Sequence, residues 1–191
     1  MKRFIETLKN IYKIEDLRLR IGTTLFFILI YRLGSFVSLP GIDPAQLQNL
    51  KNQTSDGLLG LIDMFSGGAF SQASIFALGI MPYISASIVI QLLGIAVPYF
   101  QRLQKEGESG RRKINQITRY LTVVILIFQS PAYLTNLHMQ LPESAFALTG
   151  AMFTVSSVVI LTAGSMFVMW LGERNTDKGI GNGISIIINI G

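Results

Sequence analysis

Between Gly57 and Val97 the chain reads GLLGLIDMFSGGAFSQASIFALGIMPYISASIVIQLLGIAV. Asp63 is its one charged residue, yet the stretch is about twice the roughly 20 apolar residues that a membrane crossing needs. Ser66-Gly67-Gly68 interrupts it early. That leaves Leu58 to Phe65, too short to cross, followed by an expected full helix from about Ser74 to Ile95. A short apolar half-helix joined by glycines to a spanning helix is a re-entrant element. Backbone of that kind is tolerated at membrane depth only when buried in protein or lining a water-filled cavity. The pattern therefore points to a conduit rather than an anchor. Pro82 falls inside the expected second helix, where it would free a backbone carbonyl.

Composition agrees with lipid as the main solvent. Of 191 residues 50% are hydrophobic and 14% charged, against about 25% charged in a typical soluble domain. The absence of cysteine excludes disulfides, thiolate metal sites and cysteine catalysis, and a single histidine, His138, builds no metal site alone. Net charge is +5 and the pI about 9.6, so the position of the positive charge matters.

Outward from the central stretch, further segments read as spans. Residues 21–39 form the first, ending at Leu39-Pro40-Gly41. Arg32 lies within it, at a cost of about 2.5–3.5 kcal/mol if held at the bilayer centre. It either snorkels to the far interface as an anchor or lines a polar cavity. A polar stretch from Asp43 to Asp56 follows. The second span covers 74–96, and residues 97–119 read as a polar loop. The third span covers 120–137, with Ser130-Pro131 making its end uncertain. A loop with His138, Pro142 and Glu143 leads to the fourth, 146–171. Gly172 to Asn182 is polar, and an apolar helix starts at Gly183, too short by Gly191 to span. On this reading the chain is a fragment or part of a longer protein.

The first twenty residues mix Lys2, Arg3, Lys9 and Lys13 with Glu6, Glu15 and Asp16, and no small-residue cleavage site follows, so they do not read as a signal peptide. Phe4, Ile5, Leu8, Ile11 and Tyr12 recur at helical spacing. Residues 1–20 thus suit an amphipathic helix at the membrane surface or a solvated helix packed on its own protein. Residues 21–191 then form the transmembrane unit. Lys and Arg crowd both the N-terminal segment and the loop carrying Arg102, Lys105, Arg111, Arg112, Lys113 and Arg119, whereas Lys51 stands alone between Asp43 and Asp56. By the positive-inside rule the N-terminus and the basic loop are cytoplasmic. Nucleic-acid binding is not needed to explain the charge.

Gly179, Gly181 and Gly183 follow no strand, and G-x-x-x-x-G-K-[ST] is missing, so a nucleotide site is not expected. They read as a flexible joint into the last helix. Ile80 and Ile84 share one helical face, and Ile184 and Ile188 repeat the spacing. Packing or lipid contact is the default for such residues; a hydrophobic constriction around a pore is the alternative, and spacing does not separate the two. Ser85, Ser87 and Gln129 lie within spans as buried polar groups. They suit hydrogen bonds between helices or a polar seam that opens. Glu106 and Glu108 beside Arg111 and Arg112 form a solvated cluster. No set of residues suggests catalysis, a cofactor or a metal.

Several longer stretches carry a family resemblance: Arg32-Leu33-Gly34-Ser35 leading to Pro40-Gly41-Ile42-Asp43, Asp63 through Ala69, Phe76 through Ser87, Lys105 through Lys113, and Trp170-Leu171-Gly172-Glu173 with Gly179 through Ser185. Over nearly its whole length the chain resembles the SecY translocon family of bacteria. That resemblance implies an all-α polytopic membrane bundle, a ten-helix clamshell of two inverted halves, of which this chain supplies the first four spans and the start of the fifth. It implies a re-entrant plug at about 57–70, including Leu58, Leu61, Ile62, Asp63, Met64, Phe65, Ser66, Gly67 and Gly68. It also implies a pore ring containing Ile80, Ile84, Ile184 and Ile188, and one side of a lateral gate containing Ser85, Ser87 and Gln129. Asp63 departs from the asparagine common at that plug position.

The implied function is conduction of unfolded secretory polypeptides across the bacterial inner membrane, with lateral release of transmembrane segments into lipid and no chemical catalysis. The implied partners are SecE and SecG, the SecA motor or a ribosome, nascent chains, the lipid bilayer and the C-terminal half of the same protein. One half alone would leave the groove open. A secondary transporter of a small solute is the competing reading, since it too combines broken helices with inverted repeats; it would want ionisable residues in its spans, and only Arg32 and Asp63 qualify.

Overall fold

The computed structural model describes residues 14–43, 47, 58–146 and 150–190. Most of the expected amphipathic helix at 1–20 and of the polar stretch after Asp43 lies outside the described residues. Regular structure among the described residues is helical, with two isolated bridges, Ser38–Ser74 and Ile42–Phe146. The helices are α1 Glu15–Ser35, α2 Leu58–Ser66, α3 Met81–Ala96, α4 Pro98–Lys105, α5 Glu108–Gln140, α6 Ala151–Lys178 and α7 Gly183–Ile190.

Helix α1 starts and stops earlier than the expected span at 21–39. Glu15 and Asp16 occupy its first turn and Arg32 its last, each on the favourable end of the helix dipole. Pro40 disfavours helical geometry at Leu39, and residues 36–39 instead turn toward a neighbouring segment. There Leu39 N donates to the Ala73 carbonyl (2.8 Å) and Ile75 N to the Val37 carbonyl (2.9 Å).

The second correction concerns residues 67–80. The expected helix from Ser74 begins only at Met81, and the intervening chain is a succession of turns. Gly67, Gly68 and Gly79 take positive φ (69°, 79° and 52°), which ends one helix and delays the next. Ser74 Oγ accepts Phe76 N at 3.1 Å, the local side-chain bonding that competes with a helix. Pro82 then sits in the first turn of α3, where its missing N–H disrupts no helical bond.

Residues 97–119 are not a loop either. Val97 is extended ahead of Pro98, α3 and α4 meet at a bend of 99°, and Gly107 (φ 70°) turns the chain into α5. At Gly110 an added Cβ would overlap the Leu103 carbonyl, so glycine lets the two arms of this hairpin close. Helix α5 continues through Pro131 to Gln140 and α6 to Lys178, both beyond the expected ends at Leu137 and Leu171. Two helices, α5 and α6, are long and apolar enough to cross a membrane, and the bent pair α3–α4 makes a third if it is one span. Helix α1 is excluded from that group by Arg18, Arg20 and Arg32.

Two apolar clusters hold the bundle. One joins Leu39, Phe70, Tyr133, Leu137, Leu141, Phe146 and Phe153. The other joins Tyr31, Phe76, Ile80, Val168, Leu171 and Ile187. Small residues let backbones approach between them, as in membrane helix packing generally. At Gly164 of α6 an added Cβ would overlap the Ile75 carbonyl. Gly164→Ala should therefore cost about 1–3 kcal/mol, read as a lowered Tm in detergent. Gly22→Ala, with nothing within 4 Å of the added carbon, should leave the Tm level or raised.

Candidate functional site

Ile80 precedes α3 as its N-cap rather than lying inside the helix, but Ile84 N still bonds the Ile80 carbonyl (3.1 Å). The one-turn spacing is thereby kept. Ile80 is 1% exposed, and Ile84, Ile184 and Ile188 are half-buried in the same cluster. Gly172 of α6 marks where they meet. A Cβ built there would stand 3.1 Å from Ile184 Cγ1, 3.4 Å from Ile80 Cδ1 and 3.5 Å from Ile187 Cδ1. The structure thus brings residues a hundred positions apart in sequence to one point. Sequence reasoning missed Ile187, because every position from Ile186 to Ile188 is isoleucine and no periodicity singles one out. It also missed Gly172 as the residue that makes room, although a glycine after Trp170-Leu171 was the available signal.

The glycines before α7 are pinned rather than loose. An added Cβ at Gly179 would overlap Asn175 Oδ1, and one at Gly183 would overlap the Gly172 carbonyl, so close approach demands glycine at both. Gly181 has the positive φ, 63°. Ile180 N donates to Thr24 Oγ1 (3.1 Å), Arg20 to the Gly179 carbonyl (3.4 Å) and Gly183 N to Thr176 Oγ1 (2.9 Å). Asn182 Oδ1 accepts Ile184 N (3.1 Å) and Ser185 N (3.4 Å), the bonding of a helix N-cap.

Helix α2 packs against α7; the side chains of Leu58, Ile62 and Phe65 lie outside the described residues. Leu61 and Met64 are exposed, Asp63 half-buried and Ser66 buried. Three side chains from two helices, α1 and α5, hold the joint after α2. Tyr31 Oη donates to the Ser66 carbonyl (2.8 Å), Arg32 Nη1 to the Gly67 carbonyl (3.2 Å) and Tyr133 Oη to the Phe70 carbonyl (2.8 Å). Asp63 Oδ1 accepts Ser71 N at 2.8 Å, and Ser66 Oγ accepts Phe70 N at 3.0 Å. Arg32 therefore reaches the glycine joint, which neither sequence alternative named.

Ser85, Ser87 and Gln129 do not form buried bonds between helices. Ser85 and Gln129 are exposed, and the bond recorded for Ser87 is accepted from Gln91 of its own helix (3.4 Å). Ser130, next to Gln129, is the buried one. Gln129 lines a cavity of about 250 Å³ with Phe70, Leu78, Met81, Tyr133 and Asn136, between α3 and α5. Arg102, Lys105, Arg111, Arg112 and Lys113 are exposed on the α4–α5 hairpin. The Arg112–Glu108 pair (4.0 Å) is solvated and contributes little. Arg119, grouped with the loop by sequence, instead pairs Glu173 of α6 through two bonds of 3.3 and 2.5 Å. That pair borders a polar cavity of about 280 Å³ reaching Tyr83, Asn182 and Ile184. Among the described residues no three His, Cys, Asp or Glu side chains gather where a metal could bind.

The family model described as SecY matches residues 74–191, which include all four isoleucines. The chain belongs to the SecY family. Protein translocase subunit SecY of Buchnera aphidicola subsp. Schizaphis graminum is 48% identical over 185 residues, covering 96% of this chain and 42% of the relative. SecY of Escherichia coli strain K12 is 51% identical over 177 residues, covering 92% and 40%. The chain thus spans about two fifths of the length of these curated relatives. Among solved structures, "The structure of a protein conducting channel" matches with a TM-score of 0.55 over 90% of this chain and 35% of that one, at 17% identity. "Sec61 in the Canine ribosome-channel complex from the endoplasmic reticulum" matches with the same TM-score and coverage. At such identity the likeness is one of fold. With the apolar helices already described, this member of the SecY family is a multi-pass membrane protein.

Asp63 uses one carboxylate oxygen as an acceptor. Asparagine offers the same acceptor. Asp63→Asn should therefore leave hydrogen exchange at Ser71 N unchanged, whereas Asp63→Ala should speed it about fivefold, the worth of one hydrogen bond.

Proposed function

We propose that this chain is part of the central pore-forming subunit of a Sec translocon in the bacterial inner membrane, with its N-terminus cytoplasmic. The whole protein conducts unfolded secretory polypeptides and releases transmembrane segments sideways into lipid. The observation that carries this reading is the convergence of Ile80 and Ile184 at Gly172, with Ile84 and Ile188 half-buried in the same cluster. Half-burial suits side chains that complete a ring with the C-terminal half of the protein. A ring of that kind excludes water and ions yet deforms around a passing chain. Membership of the SecY family and the bacterial relatives support the same conclusion.

In this mechanism α2 and its joint, residues 58–70, act as the plug beneath the ring, which suits the packing of α2 on α7. Ser85, Ser87 and Gln129 belong to the seam through which an apolar signal segment enters; their exposure on α3 and α5 suits a surface that meets the other half. The exposed basic hairpin faces the cytoplasm, where a SecA motor or a ribosome docks, and SecE and SecG brace the bundle. Work comes from the motor, translation or the membrane potential, and this chain supplies a gate rather than a reaction. The transporter reading finds no footing. Its two candidate ionisable residues, Arg32 and Asp63, are engaged with backbone at the joint.

The constriction is tested by wetting it. In the full-length protein, Ile84→Asn together with Ile188→Asn should raise resting ion leak roughly tenfold or more, because a polar ring no longer dewets. Val159→Asn, on the exposed face of α6, should not. Leak unchanged by the ring substitutions would remove the isoleucines from the pore.

A further inference from the structure

The last carbonyls of any helix lack intrahelical partners, and inside a membrane protein each needs another donor. For α2 turn amides serve some of them, such as Gly68 N at the Asp63 carbonyl (2.9 Å), and the walls add side-chain donors. Tyr31 is 1% exposed and Tyr133 4%, and they stand on different helices, α1 and α5. One hydroxyl takes the Ser66 carbonyl at the end of α2, and the other takes the Phe70 carbonyl just beyond the glycines, both at 2.8 Å. Between these two points lie Gly67 and Gly68, both at positive φ, which form the natural hinge. Shortly after it, Ala73 holds φ 45°, a region that disfavours any side chain. Such backbone persists where its surroundings over-determine it.

Resting on the plug reading above, we infer that Tyr31 and Tyr133 are positioning residues that clasp the plug hinge to the channel wall and set how readily the closed state gives way. Displacing α2 pulls the Ser66 carbonyl off the Tyr31 hydroxyl and strains the Phe70 bond. The Ser66 and Phe70 carbonyls keep their turn bonds from Ala69 N (3.3 Å) and Ala73 N (3.2 Å), but the tyrosine hydroxyls lose their buried acceptors, which carries a desolvation cost. Neither ring needs to move, because Tyr31 stacks on Phe76 (centroids 6.0 Å apart) and Tyr133 packs edge-on to Phe70 (4.9 Å). The two hydroxyls therefore act on the hinge alone, and Tyr→Phe removes the clasp while keeping the packing.

The test uses the full-length protein with its partner subunits in proteoliposomes. It reads resting ion conductance, and translocation of one secretory client bearing either an intact signal or one with a shortened apolar core. Tyr31→Phe and Tyr133→Phe should each raise resting conductance about fivefold, the equilibrium worth of one hydrogen bond. Both should also pass the shortened-signal client better than wild type does. Tyr99→Phe, an exposed tyrosine, should change neither. Hydrogen exchange of amides 66–71 is the second readout and should quicken in both variants. If the client opens the wild-type channel but conductance, signal dependence and exchange are unmoved in both variants, the clasp is wrong and the channel reading stands. If no client opens the wild type, the channel reading fails and takes the clasp with it.

Discussion

Between Ser66 and Ile80 the chain runs without a helix through the interior of a membrane protein, so its amides and carbonyls must find partners inside the protein. The rest of the bundle is arranged around meeting that demand. Turn bonds such as Gly68 N to the Asp63 carbonyl and Ser74 N to the Ala69 carbonyl serve part of it. The segment after α1 serves another part, through the exchange of Leu39, Ala73, Val37 and Ile75. Side chains of α1 and α5 reach in for the remainder. Arg32 is explained by the same constraint. Its charge is directed to a carbonyl at the glycine joint.

Because these turns are held, Ile80 is held, and α3 begins where they end. On the other side α7 begins at a capped and pinned start, with Asn182 bonding two amides and Thr176 a third. The two helix starts converge on Gly172, the position on α6 that leaves room for both sets of isoleucines. An apolar cluster formed at two helix starts, each fixed by its own hydrogen bonds, has a defined position even though its side chains make no polar contacts. The Arg119–Glu173 pair ties α5 to α6 beside that point, next to a polar cavity that reaches Ile184. An apolar cluster thus borders a polar space.

The sequence made the helical class, the broken element before Pro82 and the pairing of Ile80 with Ile84 legible, because each rests on local pattern. The glycines at 67 and 68 marked the joint correctly for the same reason. The helix start at Met81 was not legible. Phe76-Ala77-Leu78-Gly79 is as apolar as a span, and the side-chain bonding of Ser74 and the positive φ of Gly79 are tertiary outcomes. The hairpin at 97–119 reads as a polar loop because its charges dominate the local pattern, whereas Gly110 against Leu103 is a contact only a fold supplies. Tyr31 and Tyr133 passed unnoticed among apolar neighbours, since nothing in their spacing announces a distant carbonyl. Ser85 and Gln129 were assigned to the interior on span membership alone, while the buried hydroxyl is the adjacent Ser130.

The central claim is that the isoleucines line the path of a translocating chain. It is tested most directly by a photoreactive residue at Ile84 of the full-length protein, presented with a stalled secretory chain, and by the same probe at Val159 on the exposed face of α6. A crosslink at Ile84 that requires an intact signal sequence, with none at Val159, is the result expected. Targeted, stalled chains that never crosslink at Ile84 would make the cluster a packing core and contradict the account.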